Sequence, residues 1–115
     1  MGQFLPPDHS KGDERTIGGY QAVHARPAAF EGSDGLSYSV EIDVDATEDA
    51  AAPFAAFLVF VRWSAGEPRV TGHVETDYLV RGVSPAEASA RLGAMPLEEA
   101  KRILDAEIAA RSAGA

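Results

Sequence analysis

The ten residues FAAFLVFVRW, Phe54 to Trp63, decide how this chain folds. Apolar side chains fill both parities: Phe57, Val59, Val61 and Trp63 on one, Leu58 and Phe60 on the other. A β-strand sends successive side chains to opposite faces, so a strand apolar on both parities is covered on both sides for much of its length. A helix is the rival reading over a run this short. The β-branched and aromatic content argues against it. The stretch is therefore read as the central strand of a sheet.

Its neighbours are read outward from there. LSYSVEIDVD, Leu36 to Asp45, alternates without a fault, with Leu36, Tyr38, Val40, Ile42 and Val44 on one face and Ser37, Ser39, Glu41, Asp43 and Asp45 on the other. That is a half-buried strand. ATEDAAAP (46–53) breaks it, SAGEPR (64–69) is a hairpin-sized turn, and VTGHVETDYLVRG (70–82) is the next strand, with Gly72 a bulge or a point of close approach. Further upstream, YQAVHAR (20–26) reads as a short edge strand closed by Pro27, and FEGSDG (30–35) as turn chemistry.

After Gly82 the period becomes helical. Ser84 is placed to cap, Pro85 fits the first helical position, and Glu87 completes the spacing of a capping box. Gly93 ends this helix, and a second begins at Pro96 with Glu98 and Glu99 in its first turn. Leu97, Ala100, Ile103, Leu104 and Ile108 form its apolar stripe. Glu98–Arg102 and Glu107–Arg111 are expected to pair along its exposed side. Strands grouped before helices predict an α+β fold: an antiparallel meander of three to four strands with two C-terminal helices packed on one face. The expected boundaries are a flexible tail over 1–19, a single α+β domain over 20–111 and a frayed end over 112–115. The segment GVSPAEASARL (82–92) resembles the strand-to-helix turn of small HicB-like antitoxin domains, but the proline–glycine loop of that family is not visible, so no family is assigned.

Composition narrows the function. The chain has 115 residues, enough to bury about two-thirds of its unfolded surface around one core. It has no cysteine, which excludes disulfides, thiol catalysis and cysteine-based zinc sites. Ten basic residues stand against 18 acidic ones, a formal charge of −8, which argues against nucleic acid and anionic membranes as partners. The first residues lack the apolar run of a signal peptide, so a cytoplasmic setting is expected.

Chemistry concentrates in one place. His73, Glu75 and Asp77 share a parity, and alternate residues of a strand stand about 6.6 Å apart on one face. Imidazole with carboxylates suits zinc, manganese or iron, and His24 could add a ligand. The same group could serve as a general base. This supports an alternative reading as a small metal-assisted hydrolase. The bland reading of the row is the wet face of a one-sided sheet. The acidic run Glu41, Asp43, Asp45, Glu48 and Asp49 lacks the spacing of a calcium loop, neither glycine-rich piece ends as a phosphate loop does, and no serine sits in a nucleophile elbow. No cofactor is expected. Two helices hide one side of the central strand, so its other side needs the N-terminal third, a small ligand or another copy. The leading expectation is a non-catalytic interaction or small-ligand-binding module that self-associates, as a homodimer or with a protein partner.

Overall fold

A computed structural model describes residues 6–66 and 69–113. The chain forms a 3-10 turn His9–Lys11, then α1 (Ile17–His24), β1 (Ala29–Glu31), β2 (Ser37–Ala46), β3 (Phe54–Trp63), β4 (Val70–Glu75), β5 (Val80–Gly82), α2 (Pro85–Gly93) and α3 (Leu97–Ala113). The fold is α+β. The strands make an antiparallel sheet in the order β1-β2-β3-β4, with β5 also paired to β3. β4 and β5 lie end to end along one flank of β3: β4 pairs with Val59–Trp63 and β5 with Phe54–Ala56.

The expected single strand over 70–82 is thus two strands. Thr76 explains the break. Its backbone N–H still donates to Leu58 O (3.0 Å), but its hydroxyl takes the Leu58 N–H (3.0 Å), where a ladder would use a carbonyl. The chain leaves the sheet until Leu79 N–H finds Ala56 O (2.9 Å). Gly72 does mark a close approach. The ladder shifts register between Arg62 and Trp63, and a β-carbon on Gly72 would fall 2.6 Å from Arg62 Nη2.

The N-terminal third departs most from expectation. The segment read as a strand over 20–26 is the second half of α1 and its C-cap, and the first strand is β1, inside and just before the presumed turn. Thr16 caps α1 by accepting the Gly19 N–H at 3.0 Å, and the helix ends at Ala25, whose φ of 55° is left-handed. Two glycines at 18 and 19 disfavour a helix locally. Contact with α2 offsets that: a β-carbon on Gly18 would sit 3.3 Å from Gly93 Cα, so α1 and α2 meet backbone to backbone. Ile17 N–H donates to Met95 O (3.0 Å) and Leu97 N–H to Arg15 O (2.7 Å), tying this segment to the α2–α3 junction. Asp8 N–H likewise donates to Val23 O at 2.9 Å, inside the stretch expected to be a tail.

The C-terminal helices follow the sequence closely. Ser84 Oγ accepts the Glu87 N–H at 3.1 Å, while the Glu87 carboxylate pairs with Arg91 and so leaves the capping box half made. In α3, Ala100, Leu104 and Ile108 are buried, and Arg111 lies 3.7 Å from Glu107. Among the described residues Glu98 and Arg102 form no ion pair, and Lys101 with Asp105 makes the other (i, i+4) pair instead.

All three helices share one face of the sheet. Tyr38 and Val40 of β2, Ala56, Leu58 and Phe60 of β3 and Val74 of β4 form one buried cluster with Ile17, Ala88, Leu92, Ala100, Leu104 and Ile108. The strand members are the even-numbered side chains, so the odd-numbered ones point the other way. One margin of the sheet is also exposed. β1 covers β2 only over Ser37–Ser39, and Val40 N–H donates to Ala28 O (3.0 Å). Beyond that, Glu41–Ala46 has no strand outside it among the described residues. There the Val44 N–H donates to the carboxylate of Asp43 at 2.9 Å.

Candidate functional site: the open face of the sheet

The odd-numbered side chains form a lattice fixed by strand register. Across the sheet the rungs read Ser37–Trp63–Val70, then Ser39–Val61–His73, then Glu41–Val59–Glu75, then Asp43–Phe57, then Asp45–Ala55–Arg81. Ala29 of β1 extends the Val61 rung and Glu31 the Trp63 rung. An apolar stripe from β3 therefore runs down the middle, bordered by β2 on one side and by β4 and β5 on the other. No helix covers it.

The two halves of this stripe differ. At the end near Ala55, side chains from the flanking segments reach across β3 and close over it. The Tyr78 ring lies 5.9 Å from the Phe57 ring, and its hydroxyl donates to Asp45 Oδ2 at 2.8 Å. The Arg81 guanidinium stands 5.7 Å from the Tyr78 ring centre and donates to Thr47 Oγ1 at 3.0 Å, with Asp49 at 3.9 Å. This roof leaves Ala55 0% and Phe57 7% exposed. The Asp45 carboxylate, by accepting the Tyr78 proton, holds that phenol above its ordinary pKa, with a smaller contribution from lost hydration. The sequence places Tyr78 in the expected strand 70–82 and gives no sign of this roof. Its parts are 33 and 34 residues apart in the chain, and only the β2–β3–β5 register brings them together.

At the other end the stripe is open. Val59, Val61 and Trp63 are half-buried by their neighbours alone, and Val70 on the Trp63 rung is 54% exposed. Trp63 lies toward β2, its indole N–H donating to Ser39 Oγ at 2.9 Å. The side chains bordering this half on the Trp63 and Val61 rungs are mostly uncharged.

The predicted ligand row is only partly assembled. His73 and Glu75 share the open face, His73 Nε2 2.9 Å from Glu75 Oε2, and both side chains are more than half exposed. Asp77 lies past the end of β4, in the irregular link before β5. It lines a shallow recess of about 510 Å³ with Asp45, Phe57, Glu75, Thr76 and Tyr78. His24 is not in this neighbourhood. It ends α1 on the helix side of the sheet, where its Nε2 stands 2.9 Å from Glu14 Oε2, the oxygen that His9 also approaches at 3.2 Å. The His24 ring stacks on Tyr20 at 4.3 Å. The hydrogen bond from His24 holds Glu14 below the usual carboxylate range. Among the described residues no group of three or more His, Cys, Asp or Glu side chains is arranged to hold a metal ion, and no helix is long and apolar enough to cross a membrane.

Comparison with known proteins finds no family model, no curated protein and no solved structure that matches this chain. The short likeness at residues 82–92 is therefore what any capped helix after a glycine produces. The distinguishing feature of the chain is the face itself: a stripe of β3 side chains, roofed at one end and, among the described residues, bare at the other.

Proposed function

We propose that this chain is a non-catalytic interaction module that self-associates through the open face of its sheet. One observation carries the reading: α1, α2 and α3 all pack on the even-numbered face, while Val59, Val61 and Trp63 line the opposite face with no described element over them. Of the three covers that the sequence allowed, the described part of the N-terminal third supplies α1 to the helix side and β1 to the edge of the sheet. Rungs of two to four strands, at about 4.8 Å between strands and about 6.6 Å between rungs, give a face on the order of 500 Å² in projection, roofed end included. That is below the about 800 Å² per partner of a stable interface, so the association is a weak one. A second copy matches it in size and needs no special chemistry. The formal charge of −8 disfavours nucleic acid and anionic membrane on the same surface. We keep the cytoplasm as the proposed setting.

Sedimentation velocity across a dilution series tests this. Mass is expected to fall from two chains toward one on dilution, and Val61→Glu is expected to remove the heavier species without unfolding the protein. A single-chain mass at every concentration defeats the proposal. The paired His73 and Glu75 favour the second reading, a small metal-assisted hydrolase in which Asp77 would have to move onto their ion. Elemental analysis of purified protein with and without His73→Ala separates the two. Stoichiometric metal that is lost with His73 would replace the first reading by the second.

A further inference from the structure

The lattice of the open face constrains how two copies meet, given the reading above. A two-fold axis lying between two stacked faces can run along the strands or across them. Aligned sheet packing keeps the strand directions of the two layers within about 30° of each other in either case. Along the strands, each rung lies over the same rung of the second copy with its flanks exchanged. Glu41 of one copy then faces Glu75 of the other, since both share the Val59 rung. Trp63 is forced onto Trp63, and Ser39 meets His73.

Across the strands at the Val61 rung, the order of rungs is reversed. Trp63 lies over Val59, so the largest side chain of the bare half meets a small one. Glu41 lies over Ser37 and Glu75 over Val70, which replaces two like-charge contacts by neutral ones. On the central rung Ala29, Ser39, Val61 and His73 meet their own images, none with a formal charge while the imidazole is neutral. The Tyr78–Arg81 roof falls beyond the last overlapping rung and is left clear. In a chain already carrying −8, the arrangement that keeps the acidic rows apart is the one favoured.

We propose that two copies meet on the bare half of the face about a two-fold axis that crosses the strands at Val61, Trp63 of each over Val59 of the other. The central rung overlaps over four strands and the rungs on either side over three, about 20 Å along the strands and about 14–19 Å across them. That is on the order of 300 Å² per copy in projection, less than half of a stable interface, so the dimer dissociates on dilution.

Isotope-filtered NOE spectra on a mixture of labelled and unlabelled full-length chain test the geometry, and the single Trp makes the assignment direct. Contacts between the Trp63 ring and Val59 methyls of the other copy are expected, two rungs too far apart to arise within one chain. Ser37→Lys, which sets a cation over Glu41 of the second copy, is expected to tighten the dimer about three- to tenfold, and Ser37→Glu to weaken it similarly. Contacts between Trp63 and Trp63, or Ser39 and His73, with no response at Ser37, would overturn the axis and leave face-to-face association standing. A dimer without intermolecular contacts from β3, or a monomer throughout, would bring down both.

Discussion

The two faces of β3 should respond differently to the same kind of truncation. Leu58 points to the helices and is 0% exposed; Val61, three residues on, points to the open face and is half-buried. Leu58→Ala removes a fully packed side chain, and such changes destabilise by about 2–5 kcal/mol once the residual cavity is included. At about 4–8 °C per kcal/mol for a domain near this size, a loss of about 3 kcal/mol lowers Tm by roughly 12–24 °C. Val61→Ala removes two methyl-sized groups from a site already half in water, so less than about 1 kcal/mol is lost on folding. Its effect belongs to association. If docking completes the burial, each copy forgoes about 0.8 kcal/mol, and the pair about 1.6 kcal/mol, roughly a tenfold weaker Kd. Urea unfolding followed by circular dichroism at low concentration gives the first quantity, and sedimentation equilibrium gives the second. Leu58→Ala should lower the urea midpoint sharply while the folded fraction associates normally, and Val61→Ala should do the reverse. Equal losses of stability, or the opposite order, would mean that the helices do not cover the even-numbered face.

Other outcomes follow from the same contacts. Tyr78→Ala strips the roof from Phe57, outside the three overlapping rungs, so Kd in sedimentation should stay unchanged while Arg81 loses its ring contact; a shifted Kd would show that the roof takes part in the interface. Gly82→Ala places a β-carbon 2.7 Å from Ala88 N, a backbone atom, so α2 must shift, and a thermal melt should show a loss of about 1–3 kcal/mol. Ser84→Ala removes the cap on α2 and should destabilise by about 1 kcal/mol in the same assay. Asp105 is held below the usual carboxylate range, first by Lys101 and then, after a desolvation that opposes it, by the Ser33 N–H. A depressed folded-state pKa contributes stability above the unfolded value of 3.8 and loses it as pH falls through the folded one. Wild type and Asp105→Asn should therefore differ in urea midpoint at neutral pH and converge in acid.

Elements whose determinants are local were legible from the chain. The alternation of β2, the doubly apolar β3 and the Ser84–Pro85 start of α2 each depend on residues a few positions apart, and each is found where expected. α1 was not legible, because Gly18 and Gly19 argue against a helix. What secures it is a glycine contact with Gly93, a hydrogen bond to Met95 and one from Leu97 to Arg15 just before it, all from about 75–80 residues away in the chain. β1, three residues long, is below what periodicity can detect. The split between β4 and β5 turns on which atom of Thr76 meets Leu58, a choice that pattern does not encode. For the candidate site, spacing brought out His73 and Glu75 correctly as neighbours. It overreached at Asp77, because the two-residue period stops where the strand does. His24 was grouped with them on residue type alone, and the sheet lies between.

The margin of β2 bears on what an assembly of this chain can become. Between Glu41 and Ala46 the backbone has no strand on its outer side among the described residues, yet it carries three carboxylates in alternation, and the Val44 amide is already engaged by Asp43. A second chain trying to zip onto that border would bring its own negative row alongside and find one of the needed donors taken. Growth by lateral addition is discouraged along that border, and the proposed stacking would end at two copies.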